Sequence, residues 1–175
     1  VEQLHGQQLS FNNLLDLDSA RRVLDEFNLP ACVIVKHNNP CGVAVAETVA
    51  AAYEKAFSCD PVSAFGGVIV VNRAVDEALA RGLSSIFVEV LWAPGYADDA
   101  FEILTQKKDI RILTGQLNRD TCGAFDMKRI MGGMLVQDWD CEVDQRENMS
   151  VISTRTPTEA EWGDLLYIYE RTFIY

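Results

Sequence analysis

Cations are scarce in this 175-residue chain: 15 lysines and arginines stand against 26 acids, a formal net charge of −11. A general nucleic-acid binder needs a basic face to release counterions, and the charge balance excludes that class. A small phosphorylated ligand is still allowed, because a few local cations and helix N-termini can hold one phosphate against the overall field. No apolar run approaches the ~18 residues that span a bilayer, so no membrane partner is expected. Val1-Glu2-Gln3-Leu4-His5-Gly6 has neither the basic flank nor the apolar stretch of a signal peptide. The five cysteines, Cys32, Cys41, Cys59, Cys122 and Cys141, form no C-x-x-C pair. Their odd number and wide spread fit reduced cytosolic thiols better than a disulfide framework or a zinc site. Repeats and low-complexity linkers are also absent. The length, with 49% apolar and 23% charged residues, suits about one soluble globular domain. The missing initiator methionine points to a chain cut from something longer.

What is present is an alternation of apolar strands and amphipathic helices. Asn12-Asn13 cap a helix read over 14–27, in which Leu17, Ala20, Leu24 and Phe27 recur at helical spacing. Pro30 ends it. Ala31-Cys32-Val33-Ile34-Val35 is apolar at every position, the pattern of a strand covered on both faces. A helix over 47–57 follows, then a strand over 67–71, a helix over 76–83 and a strand over 86–92. A helix over 98–106 and a strand over 110–113 complete the series. This order predicts an α/β fold: βαβ units with helices on both faces of a mostly parallel sheet, a three-layer αβα arrangement. After Gly115 the pattern changes. Residues 127–130 and 134–137 flank Gly132-Gly133 as a hairpin. Thr156-Pro157-Thr158-Glu159 then opens a terminal helix, with Thr156 as N-cap and Glu159 at N3. The apolar face of that helix lacks a partner, so truncation is expected at this end as well. The whole of 1–175 is expected to form one unit, with 116–175 as its hairpin and terminal helix.

Ligands in open α/β sheets bind outside the carboxyl ends of the strands. Three segments fall at such ends: Lys36 to Gly42, Asn72-Arg73 and Ala93-Pro94-Gly95-Tyr96. A fourth, Asp60-Pro61-Val62-Ser63-Ala64-Phe65-Gly66-Gly67, enters a strand and is expected at the opposite end unless it folds back. The first segment is densest in chemistry. Lys36 brings a cation on an apolar stem and His37 a base for neutral pH. Asn38 and Asn39 bring amides for a heterocycle or an oxyanion, and Pro40 stiffens the turn. A plain surface turn carrying a lysine and a histidine fits the same residues.

Lys36-His37-Asn38-Asn39-Pro40-Cys41-Gly42, followed in order by the Asp60 to Gly67 and Ala93 to Tyr96 segments, resembles the transformylase region of the AICAR transformylase/IMP cyclohydrolase family. The stretches Leu4-His5-Gly6 and Ser10-Phe11-Asn12-Asn13-Leu14-Leu15-Asp16 are similar as well, so the resemblance covers about residues 3–165. It implies a bifunctional bacterial enzyme of purine biosynthesis, cytoplasmic and homodimeric. Its transformylase region holds two cytidine-deaminase-like units, and this chain resembles the first. The implied reaction is formyl transfer from 10-formyltetrahydrofolate, a folate co-substrate, to the 5-amino group of the nucleotide AICAR, with no metal required.

Roles follow from the same resemblance. His37 would accept the amine proton. Lys36 would stabilise charge on the formyl donor or protonate the leaving nitrogen. Asn13 falls at a substrate-contacting asparagine, Phe65-Gly66 at an aromatic-glycine turn beside both substrates, and Glu89 at an acidic substrate contact. Each also has a plainer reading: a helix cap for Asn13, a hydrophobic plug for Phe65, a solvated strand face for Glu89. Cys41 follows Pro40 as in zinc deaminases, but no C-x-x-C or H-x-E motif accompanies it, which leaves zinc hydrolysis little support.

The sequence also departs from the family. An upstream arginine-bearing segment, the cyclohydrolase domain and the second deaminase-like unit lie outside it, and residues 167–175 do not continue the family's helix. An incomplete site is therefore expected, with the isolated chain inactive. A non-catalytic nucleotide-binding or assembly domain on the same scaffold is the alternative.

Overall fold

The computed structural model describes residues 1–117, 123–139 and 145–172. Cys122, Cys141 and the last three residues of the tail lie outside that description. The chain divides into two compact units, Val1–Leu117 and Asn118–Tyr175. The break falls where the sequence pattern changes after Gly115.

In the first unit the strands are β1 (Glu2–His5), β2 (Ala31–Lys36), β3 (Asn39–Val45), β4 (Gly67–Val71), β5 (Val88–Ala93) and β6 (Arg111–Thr114). The helices are α1 (Phe11–Asp25), α2 (Val49–Cys59), α3 (Glu77–Ser84) and α4 (Asp98–Thr105). One sheet takes the order β1-β6-β5-β4-β2-β3. β4, β5 and β6 are parallel neighbours, β2 is antiparallel to both β4 and β3, and β1 is antiparallel to β6. Four strands, β3 to β6, thus run one way and β1 and β2 the other. α1 packs against β2, β4 and β5. Helices α2, α3 and α4 cover the opposite face, where Ile34, Ile69, Leu91 and Ile112 meet Tyr53, Leu79 and Leu104. Ala31 to Val35 of β2 and the whole of β4 are buried, as their unbroken apolar runs require.

Several boundaries differ from the sequence reading, each for a local reason. The cap of α1 is Ser10, not the Asn pair: Ser10 Oγ accepts from Asn13 N, and Asn13 Oδ1 accepts from Ser10 N. Asn13 is therefore the third residue of a capping box. Strand β3 takes up Asn39 to Gly42, which sequence assigns to a loop. Pro40 is admitted because β3 is an edge strand. β1 is a short edge strand with no apolar run to announce it.

In the second unit, β7 (Phe125–Ile130) and β8 (Gly133–Asp138) form a hairpin. Ile130 pairs with Gly133, so the turn is Met131-Gly132, one residue earlier than expected; Gly132 supplies the positive φ of +84°. Helix α5 (Glu159–Thr172) starts two residues later than the Thr156 cap implies. Thr158 Oγ1 accepts from Glu161 N, and Glu161 Oε2 accepts from Thr158 N, so the reciprocal box forms at Thr158. Among the described residues no helix is long and apolar enough to cross a membrane.

Candidate functional site

Because β2 runs against β4 and β5, its carboxyl end lies beside their amino ends. This corrects the expected placement of the loops. Lys36 and His37, at the end of β2, share one edge of the sheet with Phe65-Gly66, just before β4, and with Glu89, the second residue of β5. Asn72-Arg73 and Ala93 to Tyr96 lie at the other edge. There the buried Asn72 is a brace: its Oδ1 accepts from Ala31 N, and its Nδ2 donates to the carbonyls of Phe27 and Leu29. Tyr96 is a brace too, its hydroxyl donating to Leu113 O at 2.7 Å.

The expected loop is a two-residue hairpin turn. Lys36 pairs with Asn39, and His37 and Asn38 reverse the chain at φ of +53° and +63°. Positive φ at both positions matches the twist of the flanking strands. Asparagine and histidine enter this region more readily than most side chains, but for both it is a strained state that the surroundings must hold. They do so through α1. Asn38 N donates to Asp16 Oδ1 at 2.8 Å, Ser19 Oγ bonds to Asn38 Oδ1, and Asn39 Nδ2 donates to His37 O at 2.9 Å. The His37 side chain is exposed.

Lys36 is half-buried, and its Nζ donates to Gly66 O at 2.7 Å. Gly66 has φ of +66°, and a Cβ there would meet Lys36 Nζ at 3.2 Å and the Phe87 ring at 3.1 Å. Glycine lets the lysine reach the carbonyl. The preceding turn is set by Asp60, whose Oδ1 and Oδ2 accept from Ser63 N and Oγ at 3.0 and 2.5 Å. These bonds hold its carboxyl below the usual carboxylate range. Phe65 is 63% exposed, with its ring 5.5 Å from that of Phe87. It is a solvent-facing aromatic platform, not a plug.

Asn13 Nδ2 donates to Glu89 Oε1 at 3.0 Å, and Arg111 Nη1 lies 3.9 Å from the same oxygen. Arg111 Nε also donates to Gln8 O at 3.1 Å. Both ends of the Asn13 amide are thus engaged by the protein, and Glu89 is neither free nor merely a solvated strand face. Beside Phe87 opens a cleft of about 250 Å³ between Ile86–Val88 and Lys107–Ile110. Lys107, one of its lining residues, donates through Nζ to Leu83 O at 3.3 Å and to Ile86 O. Burial pulls this ammonium below its ordinary pKa.

The sheet edge therefore gathers all eight residues singled out from sequence: Asn13, Lys36, His37, Asn38, Asn39, Phe65, Gly66 and Glu89. Sequence reasoning missed Asp16, Ser19, Phe87 and Arg111. Asn13, Asp16 and Ser19 recur every three residues on α1, a polar stripe at helical spacing that could have drawn in Asp16 and Ser19. Phe87 and Arg111 carry no comparable signal, because only the pairing of β4, β5 and β6 brings them to the others.

The model of the AICARFT/IMPCHase bienzyme family matches residues 1–171. The bifunctional purine biosynthesis protein PurH of Caldicellulosiruptor saccharolyticus is 46% identical over 170 residues, 97% of this chain. The proteins of the same description from Anoxybacillus flavithermus and Enterococcus faecalis are each 44% identical, again over 97% of the chain. The chain spans 33% of the length of each of these relatives. Among solved structures, Acinetobacter baumannii RibD aligns with 58% of this chain and 34% of its own at 17% identity and a TM-score of 0.39, too distant to carry an argument. With the family model covering nearly the whole sequence, the chain belongs to the AICARFT/IMPCHase bienzyme family.

Proposed function

We propose that this chain serves purine biosynthesis as the first cytidine-deaminase-like unit of a transformylase, supplying Lys36 and His37 for formyl transfer from 10-formyltetrahydrofolate to AICAR. The observation that carries the reading is the bond from Lys36 Nζ to Gly66 O at 2.7 Å. It draws a cation, an imidazole on a strained turn and an exposed aromatic platform to one sheet edge, next to the Asn13–Glu89 pair.

The chemistry is acyl transfer. The weakly nucleophilic 5-amino group attacks the formyl carbon while His37 takes its proton, so that no cationic amine builds up. Negative charge grows on the formyl oxygen, and the bond from the formyl carbon to N10 breaks as N10 gains a proton. Lys36 serves one of those two needs, as electrostatic partner of the oxygen or as acid to N10. Asn38 and Asn39 follow His37 and would offer amides to a heterocycle. Phe65 offers a face for stacking, with Gly66 allowing close approach. Glu89, oriented by Asn13 and Arg111, would accept from an amine or carboxamide. Since the chain spans a third of its relatives, the remaining contacts to both substrates belong to other parts of a longer, homodimeric cytoplasmic protein. The chain alone would not hold the substrates in register.

One observation favours the alternative of a non-catalytic nucleotide-binding or assembly domain: Lys36 and Asn13 are both engaged by protein groups. The test measures formyl transfer and IMP ring closure separately, on the full-length protein as wild type and as Lys36→Ala. The proposal expects transfer to fall at least ~100-fold with ring closure unchanged. Intact transfer would favour the assembly reading. Lost ring closure with intact transfer would place the segment in cyclohydrolase chemistry. Turnover by the 175-residue chain at the full-length rate would refute its incompleteness.

A further inference from the structure

Strand β3 carries one extra residue. Ile34 pairs with Gly42 and Val35 with Pro40, which leaves Cys41 as the unpaired residue of a β-bulge. Cys41 packs against the buried cluster that Val49, Tyr53 and Ala56 of α2 help to form. Next to it, Gly42 brings β3 so close to α2 that a Cβ would stand 2.1 Å from Ala56 O. Cys59 follows Ala56 by three residues, on the same side of the helix one turn further along. The Cys59 thiol is exposed and bonds only to Lys55 O, at 3.4 Å, among the described contacts. The Cys41 thiol is half-buried and bonds weakly to Ile34 O at 3.6 Å. Burial and then Asp60 push the Cys41 thiol up, with Cys59 a lesser contributor.

We infer that Cys41 and Cys59 are a redox pair whose disulfide clips the bulge of β3 to the end of α2, beside the Lys36–His37 turn. A low-molecular-weight disulfide such as glutathione disulfide is the oxidant. The exposed Cys59 thiolate attacks it, forming a mixed disulfide and releasing one glutathione thiolate. The Cys41 thiolate then attacks the Cys59 sulfur, closing the protein disulfide and releasing the second glutathione thiolate. The two cysteine protons pass to the two released thiolates. Burial of Cys41 makes the second step the slow one, faster as pH rises. Cys32 lies fully buried on β2, beyond the reach of an oxidant.

The test incubates the folded 175-residue chain with glutathione disulfide, blocks free thiols, digests it with trypsin without reduction and weighs the peptides. Residues 37–55 and 56–73 should appear as one linked species, two hydrogens lighter than their sum, and reduction should separate them. Hydrogen exchange of the 37–45 amides should slow on oxidation. Cys59→Ser should abolish both changes, while Cys41→Ser should stop at the glutathione adduct on Cys59. Glutathione adducts on Cys59 of the unsubstituted chain without the linked species would overturn the inference, as would Cys41 linked to any other cysteine. The readout is a mass, so it stands or falls apart from formyl transfer.

Discussion

Lys36 Nζ donates to Gly66 O across 2.7 Å, joining two segments 30 residues apart in sequence. The bond exists because β2 opposes β4, so the end of one strand meets the beginning of the next. Gly66→Ala tests it. At φ of +66° the new methyl is strained, and it would press on Lys36 Nζ and the Phe87 ring. The expected cost is about 1–3 kcal/mol in urea unfolding, with weakened formyl transfer in the full-length protein. Unchanged stability and activity would show that the contact has slack.

Gly42 and Gly132 separate packing from backbone strain. A Cβ at Gly42 would fall 2.1 Å from Ala56 O, whereas nothing lies within 4 Å of one at Gly132, which has φ of +84°. Gly42→Ala should cost about 3 kcal/mol, since β3 must part from α2. Gly132→Ala should cost about 1 kcal/mol, from conformation alone. Urea midpoints of the two variants check the ranking.

Tyr96 provides a control at the far edge of the sheet. Its hydroxyl donates to Leu113 O at 2.7 Å with Leu91 O nearby at 3.3 Å, and burial pushes its pKa up. Tyr96→Phe should lower stability by about 1–2 kcal/mol. Formyl transfer in the full-length protein should be unchanged below the melting transition. A selective loss of transfer would bring the Ala93 to Tyr96 segment back into the site.

The cap of α5 makes a pH prediction. Arg155 and then the Thr158 bonds hold the Glu161 carboxyl at about 2, against an ordinary value of 4.5. The folded value is the depressed one, so the capping contribution is complete above pH 4.5 and is lost as pH falls through about 2. A carbon-13 NMR titration of the Glu161 carboxyl reads the midpoint. Arg155→Ala should raise it towards 4.5; an unmoved midpoint would remove Arg155 as the cause.

Much of the fold was legible from periodicity. Ala31 to Val35 and Gly67 to Val71 are apolar at every position and could only be covered strands. Strand direction was not legible there, because an apolar run reads the same whichever way its neighbours point. The hairpin that reverses β2 into β3 carries His37-Asn38 in place of the glycine-bearing pair that usually announces such a turn. That one turn decided which loops share an edge. The Lys36–His37 motif was visible, and so were its companions Phe65-Gly66 and Glu89. Their meeting at the amino ends of β4 and β5 was not, nor were the ties from Asp16, Ser19 and Arg111, which depend on pairings far apart in sequence.

The proposed transfer depends most on His37, the base it places on the β2–β3 turn. The most direct test is formyl transfer and AICAR binding measured together on the full-length protein with His37→Ala. Transfer should drop by about 10²–10⁴-fold while AICAR affinity stays within a few-fold of wild type. Transfer at the wild-type rate with intact binding would contradict the assignment of His37 and, with it, of this sheet edge as the site of formyl transfer.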